Sequence, residues 1–437
     1  MKNSAGKTGL LGAQHVLAMY AGAIIVPLIV GGALKLNFEQ MGYIIAADLL
    51  TSGLATLLQA WRNPFSGIGL PVVLGCTFTA VFPMISIGSQ YGMTAMYGSI
   101  ICSGLFVILI ANYFSKLVVF FPPVVTGSVV TIIGATLVPV AINNMAGGVG
   151  SADFGSLANF SLAFGVLLFI ILLNRFTTGF IRSISVLLGL IAGTIAAAFM
   201  GTVSFASVLE ASWFHMITPF YFGMPTFEPS AIITMIVVAI VSMIESTGVF
   251  MALGEICKKD IKKDDLTRGY RAEGIAVILG GIFNSFPYTT FSQNVGLVQL
   301  SHSKTTNVTF TAGFMLIILG LIPKFAALAM IIPNAVLGGA MVAMFGIVVA
   351  SGIKMLSKVD FSSNENLLII ACSVALGLGV TVVPNLFGKF PPLLKMFFEN
   401  GIVTGALTAV LLNIILNMGP KKVPAAPELP PKKINAF

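Results

Sequence analysis

Three carboxylates lie deep within apolar sequence: Asp48 in YIIAADLLTSGLATLLQ, Glu245 in AIVSMIESTGVFMAL and Glu273 in RGYRAEGIAVILGGIF. Most of the chain's fifteen acids fall in polar connections or at the ends of apolar runs, so these three stand out. Burying a carboxylate in hydrocarbon is costly, and such groups mark functional positions by default. Glu245 is flanked by small residues that permit close packing. Its carboxylate could carry a proton, accept two hydrogen bonds from adjacent N–H groups of a planar ligand, or be structural, capping a broken helix or pairing with Ser or Thr. Glu273 has two readings, a salt bridge with nearby Arg271 or a second carboxylate that handles protons or shapes a site. Asp48 suits a structural role, paired with a neighbouring helix. His15 stands beside Gln14 in LLGAQHVLAMYAG. It reads either as a hydrogen-bonded packing residue or as one that fixes a site's geometry or relays a proton.

A second cluster is polar and uncharged. FPYTTFSQNVGLVQLSH, residues 286–302, places Thr289, Thr290, Ser292, Gln293 and Asn294 around Phe291, just after Pro287. The stretch GIGLPVVLGCTFTAV, residues 67–81, contains Gly67, Gly69, Pro71 and Gly75, which disfavour a continuous helix. Val72, Val73 and the alternation after them suit an extended strand.

The elements that must carry these residues follow from composition. Of 437 residues, 57% are hydrophobic and 9% charged, and the mean hydropathy is +1.00. Apolar runs of about 20 residues recur along the chain, so the class is a polytopic helical membrane protein. We place fourteen spans, near 10–34, 40–60, 67–88, 93–112, 117–142, 157–174, 183–203, 229–254, 268–286, 287–302, 307–323, 328–353, 365–386 and 399–418. The first is too long for the core of a secretory signal. With both termini cytoplasmic, this count puts 19 of the 23 basic residues inside, as the positive-inside rule expects. The net charge of +8 is therefore a topology signal, and its spread over many loops argues against nucleic-acid binding. Cys76, Cys102, Cys257 and Cys372 lack the paired spacing of disulfide or zinc sites. HExxH, GxSxG and P-loop motifs are absent, which weighs against an enzyme. Residues 421–437, rich in Pro, Ala and Lys, read as a disordered tail.

Fourteen spans divide into two sets of seven near residues 205–228. An odd number per set inverts the second set, the arithmetic of an inverted repeat. The two irregular segments then fall at the same place in each half, third and tenth. Extended backbone at membrane depth survives only where protein or a polar cavity covers it. Matched breaks of this kind point to a central binding site, although re-entrant loops without a ligand would give the same pattern.

With these residues in view, the sequence resembles the nucleobase–ascorbate transporter family, in particular its bacterial xanthine and uric acid permeases. The carrying motif is Gln293-Asn294-Val295-Gly296 within TTFSQNVGLVQL. Gln14-His15, FPPVVTG at 121–127, Glu245, Glu273 and AVLGGAMVAMFG at 335–346 support it. The resemblance implies fourteen spans in two inverted sevens, with the third and tenth half strand and half helix. It implies a core domain of residues 1–112 and 225–327 and a gate domain of 113–215 and 328–418, ahead of a disordered cytoplasmic tail, 419–437. The protein would be a homodimer in a bacterial cell membrane, moving its core against its gate. It would import a purine nucleobase with a proton, sodium being the alternative coupling ion, and without a cofactor or metal.

Carried over by position, Glu245 would accept N–H hydrogen bonds from the purine and Gln293 would recognise its opposite edge. Asn294 would fix the site's geometry, while Phe78 and Phe291 would sandwich the ring. Backbone amides of Thr79 and Ser292 would meet its oxo groups. Glu273 would be the second essential carboxylate, and His15 would support affinity without touching substrate. Relatives that carry uracil have Glu at the position of Gln293. An amide offers a donor that a carboxylate lacks, which favours oxopurines, xanthine or uric acid, over uracil. Three positions depart from the family pattern: Ser301 stands for Thr, His302 for Arg, Lys or Gly, and Val249 for an Asp or His that could relay protons. A uracil or other nucleobase carrier of the same family is one alternative. A sulfate or bicarbonate transporter of the same seven-plus-seven fold is another.

Overall fold

The computed structural model describes residues 5–418 except 302, 384, 385, 392, 393, 396 and 397. His302 and the expected tail, 419–437, lie outside the described residues. The first half opens with helices α1 (Ala5–Ala33) and α2 (Phe38–Ala60). Strand β1 (Leu74–Cys76), a 3-10 turn (Phe78–Ala80) and α3 (Val81–Phe114) follow. Next come α4 (Pro123–Met145), α5 (Leu157–Phe176), the short α6 (Gly179–Ser183) and α7 (Ser185–Phe199). A connector holding α8 (Ala206–Glu210) leads to α9 (Pro229–Cys257) and α10 (Lys263–Ile282). Strand β2 (Tyr288–Thr290) runs into α11 (Gln293–Ser301), α12 (Thr306–Gly320) and α13 (Pro323–Met330). The chain continues through α14 (Asn334–Leu356), α15 (Asn364–Val382) and α16 (Gly401–Asn417).

Local sequence sets many of these limits. Asn37 and Gln40 form a reciprocal capping box that starts α2. Pro123 and Pro229 occupy the first turns of α4 and α9, where the missing N–H is harmless. Within α3, Gly92 adopts φ 84° and ψ 172°, a left-handed kink open to glycine. The third and fourth expected spans are therefore joined through this kink without an intervening loop. The eleventh ends in a bend of 79° between α12 and α13.

Among the described residues, eight helices are long and apolar enough to cross a bilayer, or nine if the bent pair is one span. The difference from fourteen has identifiable sources. Besides the merged α3, the first turns of α10 are charged, and α7, α11 and α16 have only 15, 9 and 17 residues.

Helix packing repeats itself. Gly53 of α2 crosses Gly313 of α12 so closely that a Cβ on Gly53 would lie 2.6 Å from the Gly313 oxygen and 2.7 Å from Ile317. Gly104 of α3 crosses Gly274 of α10 in the same way, at 2.7 Å from the Gly274 oxygen and 2.8 Å from Ile278. Small residues that bring backbones together are the usual adhesive between membrane helices. The two crossings exchange roles when the halves are exchanged, as an inverted repeat requires. Elsewhere α4 packs on α14, and α15 on α16. Apolar side chains of α5 and α15 remain largely exposed, as lipid-facing helices do.

Candidate functional site: the crossed strands and their helix clamps

β1 and β2 pair antiparallel, Leu74 opposite Thr290, Gly75 opposite Thr289 and Cys76 opposite Tyr288. Both expected broken spans thus consist of a strand followed by a helix, and the strands meet. Beyond the three-residue ladder, Phe291 N donates to Val73 O and Thr77 N to Pro287 O, each at 2.9 Å. Thr56 of α2 accepts from Leu74 N at 3.1 Å. Side chains and backbone of neighbouring elements in this way supply the partners that extended backbone needs at membrane depth.

Helix α9 clamps β2 and the turn that follows β1. Its Ser242 hydroxyl lies 2.9 Å from Thr79 Oγ1 in the turn after β1. Its Ser246 hydroxyl lies 2.8 Å from Thr289 Oγ1 and accepts from Thr290 Oγ1 at 3.2 Å. Positions four apart share a helix face, and Glu245 stands between the two clamps. Glu245 is 9% exposed, and among the described residues no hydrogen bond or ion pair occupies its carboxylate. A nearly buried carboxylate left unpaired beside two strands is available to a ligand with N–H donors.

An aromatic pair stands just past the two strands, Phe78 after β1 and Phe291 after β2. Phe78 and Phe291 are both buried, with ring centroids 6.3 Å apart and planes inclined at 40°. Phe78 also meets Phe345 of α14 edge-on at 5.5 Å. Phe291 fits against two glycines. A Cβ on Gly22 of α1 would lie 2.5 Å from its ring, and one on Gly75 of β1 would lie 2.6 Å away. A flat ligand stacked between two rings needs about 7 Å between their planes, so these rings must part slightly and turn parallel to hold one.

Gln293 opens α11 and is half-buried, its Oε1 only 3.5 Å from the Ser292 hydroxyl. Asn294 is buried and donates through Nδ2 to His15 O at 3.2 Å, with His15 Nδ1 3.3 Å away. Among the described residues, its Oδ1 has no hydrogen-bond partner. His15 is therefore a buried brace between α1 and α11. The Thr79 amide is directed at Thr77 Oγ1, 3.3 Å away, so the turn is internally held.

Two readings of the carboxylates change. Glu273 forms no ion pair with Arg271, whose guanidinium instead lies 4.7 Å from the centre of the Phe65 ring. Glu273 is 3% exposed, beside Ser246 and within electrostatic reach of Glu245. Asp48 is buried, and its partners belong to the strand region instead of a neighbouring helix. It accepts from Tyr288 Oη at 2.9 Å and from Ser285 Oγ at 3.2 Å. Thr51 of α2 also bonds the Tyr288 hydroxyl.

The family model described as "Permease family" matches residues 6–386. A "Nucleobase transporter PlUacP" of Paenibacillus larvae is 67% identical over 412 residues, covering 94% of this chain and 95% of the relative. A "Xanthine permease" of Bacillus subtilis is 63% identical, covering 96% and 95%. This chain belongs to the nucleobase–ascorbate transporter family. A "Uric acid permease PucK" of Bacillus subtilis is 62% identical, covering 92% and 94%. The members are permeases, and this chain is an integral membrane permease and not an enzyme.

Two solved structures share the fold of this nucleobase–ascorbate transporter. The transmembrane domain of the cyanobacterial bicarbonate transporter BicA superposes with a TM-score of 0.61 at 16% identity, over 87% of this chain and 97% of that one. The murine Slc26a9 anion transporter, in the inward-facing state, gives 0.65 at 11%, over 96% and 69%. At such identities the likeness concerns architecture alone, the seven-plus-seven inverted repeat of these transporters. Family membership comes from sequence and sets aside the sulfate or bicarbonate alternative.

Sequence reasoning passed over Ser242, Ser246, Gly22 and Phe345. The serines were legible as small residues three before and one after Glu245. Their role as strand clamps depends on a pairing that no local pattern announces.

Proposed function

We propose that this permease imports xanthine and uric acid together with protons. The observation that carries the proposal is Glu245, an unoccupied carboxylate on the helix face that clamps β2 and the turn after β1, in a chain carrying Gln293 at the head of α11. The names of relatives at 67%, 63% and 62% identity agree with a purine substrate. Glu245 accepts N–H hydrogen bonds from the purine, and Gln293 pairs with the opposite edge by donating to an oxo group and accepting from a ring N–H. Phe78 and Phe291 take the ring faces, as aromatic faces do for conjugated rings. The Ser292 amide meets an oxo group, and the Thr79 amide reaches one only by giving up its bond to Thr77 Oγ1. Asn294 and His15 hold α11 in place, and Glu273 serves as the second carboxylate in proton coupling. Val249 offers no relay group, so the coupling path runs through the carboxylates.

The moving part is a core of residues 1–112 and 225–327, with fourteen segments in all and both termini cytoplasmic. The gate, residues 113–215 and 328–418, forms a homodimer through its exposed apolar helices. Phe78 against Phe345 is then a core-to-gate contact that substrate loading alters.

The test is uptake into proteoliposomes with an imposed inward proton gradient. Labelled xanthine competes against urate, uracil and sulfate. Xanthine and urate are expected to accumulate and to displace one another. Preference for uracil over xanthine, or uptake indifferent to the gradient, contradicts the proposal.

A further inference from the structure

A small cavity lies behind the crossed strands, between α3, α9 and α10. Its wall includes Ser103, Ala239, Ser242, Glu273, Val277 and Tyr288. It offers about 10 Å³ to the centre of a water-sized sphere, the room one water molecule takes. Glu273 is buried, and among the described residues its Oε1 has no hydrogen-bond partner. An unbonded carboxyl oxygen in such a place is costly, and native interiors satisfy these groups with protein or water. The serines supply the other partners a water needs. Ser103 spends its proton on Ile100 O at 2.8 Å, which leaves its lone pairs free to accept. Ser242 shares a hydrogen with Thr79 Oγ1 at 2.9 Å, and Thr79 in turn lies 2.6 Å from Thr77 Oγ1. Ala239 and Val277 make the remaining wall apolar, so a water there has a preferred position.

We propose that this cavity is a binding site for a single water molecule that joins Glu273 to Ser242, and through that hydroxyl to Thr79 in the turn after β1. The water is a positioning element. It fixes the Glu273 carboxyl and couples α10 to the strand turn that meets the substrate. The assignment deepens the transport reading and rests on it only where Glu273 takes part in proton coupling.

Ala239→Val and Ala239→Thr test the site, because both fill the cavity with the same volume and only Thr restores a hydroxyl. Full-length proteins are compared for thermal stability in detergent. In proteoliposomes, xanthine exchange at equal pH is compared with accumulation driven by a pH gradient. Ala239→Val should keep exchange but lose about tenfold in driven accumulation and melt below wild type, since it leaves Glu273 Oε1 unbonded. Ala239→Thr should stay within about twofold of wild type and melt above the Val variant. Equal behaviour of Val and Thr, whether both impaired or both normal, overturns the water site. The melting comparison needs no substrate. It therefore decides the site even if wild type fails to exchange xanthine, a result that would count against the proposed function alone.

Discussion

The hydroxyl of Ser242 lies 2.9 Å from that of Thr79, tying α9 to the turn after β1 one helical turn before Glu245. Ser246 makes the matching tie to β2 just after Glu245. Removing one hydroxyl of a buried pair costs about 1 kcal/mol. Ser242→Ala should therefore raise the KM for xanthine about fivefold, and Thr79→Ala should do the same. The double mutant should lose less than the sum of the single ones, since the bond between the two hydroxyls is shared. Additive losses in transport assays would show that the two hydroxyls act separately.

Gln293 sets the substrate edge. Gln293→Glu removes the amide donor and adds a charge, which should weaken xanthine binding by about 1–3 kcal/mol, roughly fivefold to a hundredfold, while uracil gains relative to it. Competition of both bases against labelled xanthine measures this ratio. An unchanged ratio would remove Gln293 from recognition.

Phe291 depends on glycines on two other elements. A methyl at Gly22 or Gly75 would stand 2.5 or 2.6 Å from its ring, so Gly75→Ala must push the ring out of place. The expected result is a loss of xanthine affinity of about tenfold with normal protein yield, since the ring has to shift and the strand need not. Gly75→Ala with normal affinity would mean that Phe291 does not contact substrate.

The paired crossings Gly53–Gly313 and Gly104–Gly274 carry the repeat. Gly53→Val and Gly104→Val each force side-chain atoms onto a facing backbone oxygen, with a cost of about 1–3 kcal/mol. Both should lower the melting temperature by similar amounts. A large loss for one and none for the other would contradict the symmetry.

Class, helix-rich architecture and the two broken segments were legible because hydrophobic runs, charge bias and Gly-Pro punctuation act locally. Glu245 stood out because a carboxylate inside an apolar run is costly and marks a functional position by default. Partners across the fold were not legible. Nothing near Arg271 in sequence shows that it faces Phe65 and, among the described residues, makes no ion pair with Glu273. Asp48 likewise finds its partners, Tyr288 and Ser285, some 240 residues away. The internal symmetry is invisible residue by residue because it survives as geometry, in the two strand-then-helix segments and the two close glycine crossings. Span edges moved where α3 runs through Gly92 and where α12 bends into α13.

The most direct measurement is uptake of labelled xanthine by Glu245→Gln in proteoliposomes with an imposed proton gradient, beside wild type at matched protein. Wild type should concentrate xanthine, and the variant should show no accumulation above empty vesicles, because Gln keeps the shape but removes the charge that both substrate and proton require. Undiminished accumulation by Glu245→Gln would contradict the account.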